Sequence, residues 1–352
     1  MALQEKNLGF SRRDFLKKLG IAGVYSGVFF AETSTFLPII YKSLFEQIRK
    51  GPPELRPIPY QPLLFGIAPN ENNLEEVGKV SEALGQDVGM VNLFAGSEGE
   101  VPRDIREKMK QVLKEHKVPI YSWYPGTNKL ADLPEANLRL GARQLRSLGG
   151  TILSRPLYEM NGTWFGWHNE NTPKEVITSW QRIFRIFQEE KATNVKFVFS
   201  PNTTLGAKPI ELFYPGSEYI HFISLDIYDR YSPSWLSERH TLVPDLSPEH
   251  LIGPDLVTFM TIAPDKPFLI SEIGSMDRPE WVPQAIDYVK RHMPRFIGAV
   301  SFEWNKQGQG PSEIDWQMLS DVRRMNALQK VLEKYRVTNI KGPADVLIQS
   351  LS

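Results

Sequence analysis

The chain reads as an α/β protein of the (β/α)8 TIM barrel class, with a single barrel domain. Strand-like apolar runs alternate with stretches of helical period, and that alternation implies a parallel sheet. Eight repeats fall within residues 63–336, near the usual barrel size of about 250 residues. The first strand ends Gly66-Ile67-Ala68-Pro69-Asn70, which is not the Gly-rich phosphate turn of the alternative, a doubly wound open sheet. Neither a P-loop nor a Gly-x-Ser-x-Gly elbow occurs anywhere in the sequence.

In chain order, strands are expected at 63–67, 88–94, 118–123, 152–158, 195–200, 221–227, 267–271 and 297–302. Each is a short apolar run. Between them, Ile105, Met109, Val112, Leu113 and His116 fall on one helical face. So do Val176, Ile177, Trp180, Ile183, Phe184 and Phe187, and near the end Trp316, Leu319, Val322, Met325, Leu328 and Leu332.

The flanks read differently. Ser11-Arg12-Arg13-Asp14-Phe15-Leu16-Lys17 precedes a mostly apolar run from Leu19 to Ala31. A basic start before a short apolar stretch is the pattern of an export signal, and the run is shorter than the ~20 residues of a spanning helix. The paired arginines resemble a twin-arginine signal, so residues 1–35 are expected to engage the export machinery. The competing reading is a chance Arg-Arg before an amphipathic helix. Small residues surround Ala31, but Phe29 suits a cleavage site poorly, so a retained N-terminal anchor is the other option. The protein is accordingly expected in the periplasm or outside the cell, secreted or anchored. Residues 36–62 form a linker, Pro-rich from 49 onward. Residues 337–352 have no clear period and read as a surface tail.

Lys+Arg and Asp+Glu are both 41, for a formal net charge of zero. No basic excess marks a nucleic-acid partner. With no cysteine, thiolate metal sites, Fe–S clusters and disulfides are excluded. Aromatic residues make up 11% and include eight Trp, which suits a protein that stacks on flat ligand faces.

The chemistry concentrates in two segments. Tyr158-Glu159-Met160-Asn161-Gly162 ends the fourth expected strand, and Ser271-Glu272-Ile273-Gly274 ends the seventh. Barrel active sites lie at the C-terminal strand ends. Three steps around an eight-stranded ring is about 135°, so Glu159 and Glu272 should face each other across the mouth. Two opposed carboxyl groups are what hydrolysis of a glycosidic bond needs. By strand parity, Arg155 and Leu157 share the face of Glu159, and Asp226 shares that of Tyr228. Trp304 is in step with Val300 and Phe302 and should enter the mouth, leaving Glu303 pointing away. Tyr228 stands where its hydroxyl could hold a carboxylate. Trp123, Tyr124, Trp164, Phe165, Trp167, Tyr231 and Trp304 also cluster at strand ends and suit apolar sugar faces. Asn161, Asn202 and His168 are candidate polar contacts. His168 has no second His at ligand spacing, so no metal and no cofactor is inferred.

The segment from Arg155 through Tyr158-Glu159-Met160-Asn161-Gly162-Thr163-Trp164-Phe165-Gly166-Trp167 resembles the acid/base motif of glycoside hydrolase family 26, a family of clan A barrel glycosidases. Leu269-Ile270-Ser271-Glu272-Ile273-Gly274 is similar to its nucleophile segment. Asp226-Ile227-Tyr228 and Phe302-Glu303-Trp304-Asn305 match the pattern after the sixth and eighth strands. The resemblance spans residues 63–335. It implies a (β/α)8 barrel that hydrolyses a β-linked polysaccharide with retention, most often mannan and in other members β-1,3-xylan or mixed-linkage glucan. It implies Glu159 as acid/base, Glu272 as nucleophile, Tyr228 as the residue positioning Glu272, and Trp304 as a sugar platform. Tyr158 stands where the family's mannanases usually carry His, so mannan specificity is in question more than hydrolysis is. Apolar surroundings supplied by Trp164 and Trp167 would raise the pKa of Glu159. Two other classes compete: a non-catalytic glycan-binding protein of extracellular polysaccharide assembly, using the same aromatics, and a metal-dependent hydrolase, for which the six His are too scattered.

Overall fold

The computed structural model describes residues 63–205, 207–229, 246–306, 315–335 and 342. The expected export signal, the linker, Tyr231 and all of the tail but Gly342 lie outside the described residues.

Eight parallel strands close into a barrel in sequence order. They are β1 (Leu64–Pro69), β2 (Met90–Ser97), β3 (Val118–Pro125), β4 (Ile152–Pro156), β5 (Val195–Phe199), β6 (Phe222–Asp229), β7 (Phe268–Ser275) and β8 (Phe296–Glu303). β8 pairs with β1 to complete the ring. The helices are α1 (Glu75–Leu84), α2 (Arg103–Lys114), α3 (Glu135–Ser147), the short α4 (Gly166–Glu170), α5 (Pro173–Glu189), α6 (Pro248–Ile262), α7 (Trp281–His292) and α8 (Val322–Lys334).

Parallel strands covered on both faces are apolar nearly throughout. Outward residues such as Ile67, Val91, Leu93, Ile223 and Ile270 meet the helices in one apolar layer. Inward residues such as Leu64, Met90, Ile120, Leu153, Phe222 and Leu269 fill the lower barrel. α5 shows how a helix is placed. Thr172 caps it in a capping box with Glu175, Pro173 opens it, and Val176, Trp180, Ile183 and Phe187 are buried.

The structure departs from the sequence pattern in several places, four of them in the run of helices and strands. Between β5 and β6 the described residues hold only the 3-10 turns Ile210–Phe213 and Ser217–Tyr219, so the helical alternation lapses there. β4 stops at Pro156, two residues early, because Leu157 and Glu159 turn into the left-handed region at φ 51° and 53°. His116 lies beyond the end of α2 and is exposed, with φ 58°. Near the C-terminus, Asp321 caps α8, so the helix begins only at Val322. Leu319 and Val322 are therefore 40% and 69% exposed, and Trp316 packs on the barrel mouth against Tyr228 at 5.0 Å.

Candidate active site

The upper barrel is polar, and Arg155 stands at its centre. The side chain is fully buried. Its Nη1 donates to Glu272 Oε1 at 2.8 Å and to Ser122 Oγ at 2.9 Å. Its Nη2 donates to Asp226 Oδ2 at 2.5 Å and to Ser200 Oγ at 2.8 Å, and its Nε to Ser200 Oγ at 3.1 Å. Burial pulls the guanidinium pKa down, but Asp226 and Glu272 outweigh it and hold the group above its ordinary pKa. Ser122 Oγ in turn donates to Asn92 Oδ1 at 2.6 Å.

Glu272 reaches this centre because β7 bulges. Leu225 pairs with Ile270 and Asp226 with Glu272, skipping Ser271. Strict alternation would send Ser271 and Glu272 to opposite faces; the extra residue lets both point inward. Ser271 Oγ donates to Asp226 Oδ1 at 2.7 Å, while Tyr228 Oη donates to Glu272 Oε2 at 2.5 Å. Burial and the nearby carboxylates raise the Tyr228 phenol well above its usual range, so it stays a donor.

Glu159 enters from the turn after β4. Its backbone N–H donates to Ser200 O at 2.7 Å. One carboxyl oxygen accepts from Asn202 Nδ2 and the other from Trp164 Nε1 at 2.6 Å. Gly162 permits the second bond, because a Cβ there would lie 2.4 Å from the Trp164 ring. Burial first, and then the charge of Glu272, lifts Glu159 to a pKa of about 7 against the pull of Asn202, Trp164 and Arg155.

Glu159, Asp226 and Glu272 each present a carboxylate oxygen within 4.8 Å of the others. Arg155 already supplies the cation that this acidic cluster needs, and a divalent ion would have to compete with it. Around the mouth, Trp304 stacks on Phe302 at 5.8 Å and meets Phe94 edge-on at 5.9 Å. Tyr158 lies between Phe94 and Phe165, at 5.6 and 5.5 Å, with the Arg155 guanidinium 5.2 Å from its ring.

The expected site residues therefore divide. Glu159, Glu272, Tyr158, Trp164, Asn202, Tyr228 and Trp304 converge on the mouth. Three others are buried away from the mouth. Trp123 is 2% exposed, packed outside the barrel with Nε1 toward Ser154 Oγ. Trp167 is equally buried there, 6.5 Å from Phe165. Asn161 is fully buried, its amide bonded to the backbone of Asn202 and Lys208. His168 sits behind Trp164, and burial drives its pKa down to about 4. Parity also fails at Leu157, which the left-handed turn rotates into the outer layer. Glu303 does point away from the mouth, toward Ser301 Oγ and Met318 N.

Arg155, Ser200, Ser122, Asn92 and Ser271 received no role from the sequence. A signal was present: polar residues near the C-terminal ends of strands that should be continuously apolar.

The model of Glycosyl hydrolase family 26 matches residues 135–245, which include Arg155, Glu159, Asn202, Asp226 and Tyr228. Endoglucanase H of Acetivibrio thermocellus is 25% identical over 287 residues, covering 77% of this chain and 29% of that protein. A mannan endo-1,4-beta-mannosidase of Bacillus subtilis is 35% identical over 112 residues, covering 29% of this chain and 31% of that protein. The chain spans about a third of the length of these curated relatives. Among solved structures, a GH26 β-mannanase from Bacteroides ovatus superposes with a TM-score of 0.57 at 14% identity, over 84% of this chain and 92% of that one. A Bacillus subtilis mannanase gives 0.56 at 19% identity, over 84% and 90%. Identities this low speak for the barrel alone. Matching segment and fold agree: over residues 135–245 the chain is similar to glycosyl hydrolase family 26, and its barrel is like those of the solved β-mannanases.

Proposed function

We propose that the protein is a retaining glycosidase that cuts internal links of a β-1,4-linked mannan or a related β-glycan. The observation that carries this reading is the opposition of Glu159 and Glu272 at one barrel mouth, with carboxylate oxygens within 4.8 Å. Retaining glycosidases keep their carboxyl groups about 5–5.5 Å apart, whereas inverting ones leave about 6.5–9.5 Å for a water. The close approach favours retention.

In this mechanism Glu272 is the nucleophile. It is oriented from the barrel by Arg155 and at the mouth by Tyr228. Its oxygen bonds to the anomeric carbon as the glycosidic C–O bond breaks, and Glu159 gives its proton to the departing oxygen. Glu159, now ionised, takes a proton from water. That water attacks the anomeric carbon, releases Glu272 and returns the sugar with its original configuration. A pKa of about 7 on Glu159 suits both halves of the cycle near neutrality. Trp304 and Trp164 supply ring faces for sugar at the mouth. Tyr158, enclosed by Phe94 and Phe165, stands in place of an imidazole, so the substrates to be tested include glucose-containing chains beside mannan. The Arg12-Arg13 start supports export, which the mass and location of the mature protein would test.

The deciding experiment incubates the full chain with mannan, glucomannan, β-1,3-xylan and mixed-linkage β-glucan. New reducing ends are measured, and the anomer formed first is read by NMR. Cleavage with the β-anomer appearing first is expected, abolished by Glu272→Ala. Binding to these polymers without any product would favour the non-catalytic glycan-binding reading and overturn this one.

A further inference from the structure

Outside the barrel wall, α6 buries a carboxylate that this mechanism leaves unused. Asp255 is 1% exposed and follows Pro254 among the buried Leu251, Ile252, Leu256 and Phe259. An acid in such a place is expensive unless its oxygens are bonded. Both are, and both by one residue: Thr204 N–H donates to Oδ2 at 3.1 Å and Thr204 Oγ1 to Oδ1 at 2.6 Å.

Thr204 belongs to the segment after β5 that carries Asn202, the donor to Glu159. From the barrel side this segment is held by Asn161, which accepts from Asn202 N–H and donates to Asn202 O, both at 2.8 Å. Thr203 N–H also donates to Asp226 O at 3.1 Å. Thr203 Oγ1 donates to Asn202 Oδ1 at 3.2 Å, which turns the amide Nδ2 toward Glu159. Asp255 is the anchor of the same segment on the helix side.

We propose that Asp255 is a positioning residue for Glu159: by gripping Thr204 from α6 it sets the Asn202 amide against the carboxyl group. The kinetic consequence rests on the glycosidase reading above; the structural one does not. Glu159 faces the charges of Glu272 and Arg155, with Asp226, Tyr158 and Tyr228 nearby, whereas Asp255 faces Glu211. The Asn202 bond favours ionised Glu159, so losing it raises the pKa of Glu159. Where Asp255 is ionised, removing its like charge would act with the opposite sign, and where it is neutral its removal adds no shift, so an upward shift separates positioning from plain electrostatics.

The test labels the full chain with 13C at glutamate carboxyl carbons and assigns Glu159 through Glu159→Gln. In Asp255→Ala and Thr204→Val, Glu159 is expected to titrate about half a pH unit higher than in wild type. Asp255→Asn, whose amide can accept from Thr204 N–H and donate to Thr204 Oγ1, should restore it. On glucomannan, kcat/KM should fall about tenfold in Asp255→Ala, but less than about twofold on 2,4-dinitrophenyl β-mannobioside and β-cellobioside, whose phenolate leaves without a proton. Should Asp255→Ala not fold, Thr204→Val, which removes only one side-chain donor, carries the test. An unchanged or lowered Glu159 titration in the folded variants overturns the proposal. A wild type that titrates as expected yet cuts none of these substrates sinks the glycosidase reading and leaves the positioning result standing.

Discussion

Trp164 Nε1 donates to Glu159 Oε2 at 2.6 Å although the ring is 44% exposed. One indole thus offers a face to solvent at the mouth and an N–H to the proposed acid. The bond stabilises the ionised carboxyl and works against the burial that raises its pKa. Trp164→Phe keeps a ring and removes the donor. We expect the alkaline limb of kcat/KM to move upward, with a loss of turnover at pH 6 from poorer aim. A limb that moves downward would show that the ring's bulk, and not its N–H, governs Glu159. Gly162→Ala should act alike, because its Cβ would displace the same ring.

In wild type the alkaline limb should lie near the pKa of Glu159, about 7. The proposed reaction needs Glu159 protonated when the sugar–oxygen bond breaks, so kcat/KM should fall as pH rises through that value. Glu159→Ala should lower hydrolysis of glucomannan by about 10²–10⁴-fold, the usual worth of a general acid. Azide added to that variant should yield a β-glycosyl azide by attacking the glycosyl-enzyme. An α-azide would contradict a covalent intermediate on Glu272.

Arg155 should be the most sensitive position for stability. Its guanidinium satisfies Asp226 and Glu272 together in a place with no solvent access. Breaking a buried pair from one side typically costs about 3–5 kcal/mol, because an uncompensated charge is left behind. Arg155→Met should therefore unfold at much lower denaturant. Arg155→Lys should recover little, since one ammonium cannot reproduce the fork that reaches Ser200, Asp226, Ser122 and Glu272. A midpoint for Arg155→Met within error of wild type would remove Arg155 from the centre of the site.

The barrel was legible because its strands are apolar and its helices periodic, and both signals come from burial. They weaken where function begins. β7 runs to Ser275, four residues past the expected end, and β2 runs to Ser97, three past it, because the strand tops trade apolar side chains for polar ones. The carboxylate pair was legible from its place at two strand ends. Which aromatics reach the mouth was legible in part: Tyr228 and Trp304 reach it as alternation had them, whereas Trp164 and Trp167, beyond the end of β4, part company in the following loop. Trp123 follows strand alternation outward. Leu157 is turned outward by a left-handed residue, and Ser271 inward by a bulge in β7. Alternation has no term for either irregularity, and both shape the mouth.

Stability should also carry the imprint of buried acids. Glu303, on β8, accepts from Ser301 Oγ at 2.6 Å and from Met318 N–H at 2.8 Å. Burial lifts it from 4.5 to about 7. Glu159 and Asp255 are lifted to about 7 for the same first reason. A carboxyl group whose folded pKa lies above its unfolded one holds a proton in the native state that the unfolded chain has lost. Its contribution is fully present below the unfolded value and disappears as pH rises through the folded one. His168 and His221, lowered to about 4 by burial, act oppositely. They bind fewer protons when folded, so their contribution grows with pH between about 4 and their ordinary 6.5. The two sets offset each other below that point, and above it the three carboxyl groups of these two sets still act. The thermal midpoint should therefore fall between about pH 6.5 and 8, and Glu303→Gln should make the fall shallower. A midpoint that stays level or rises across that window would mean that these carboxyl groups are already ionised in the folded protein.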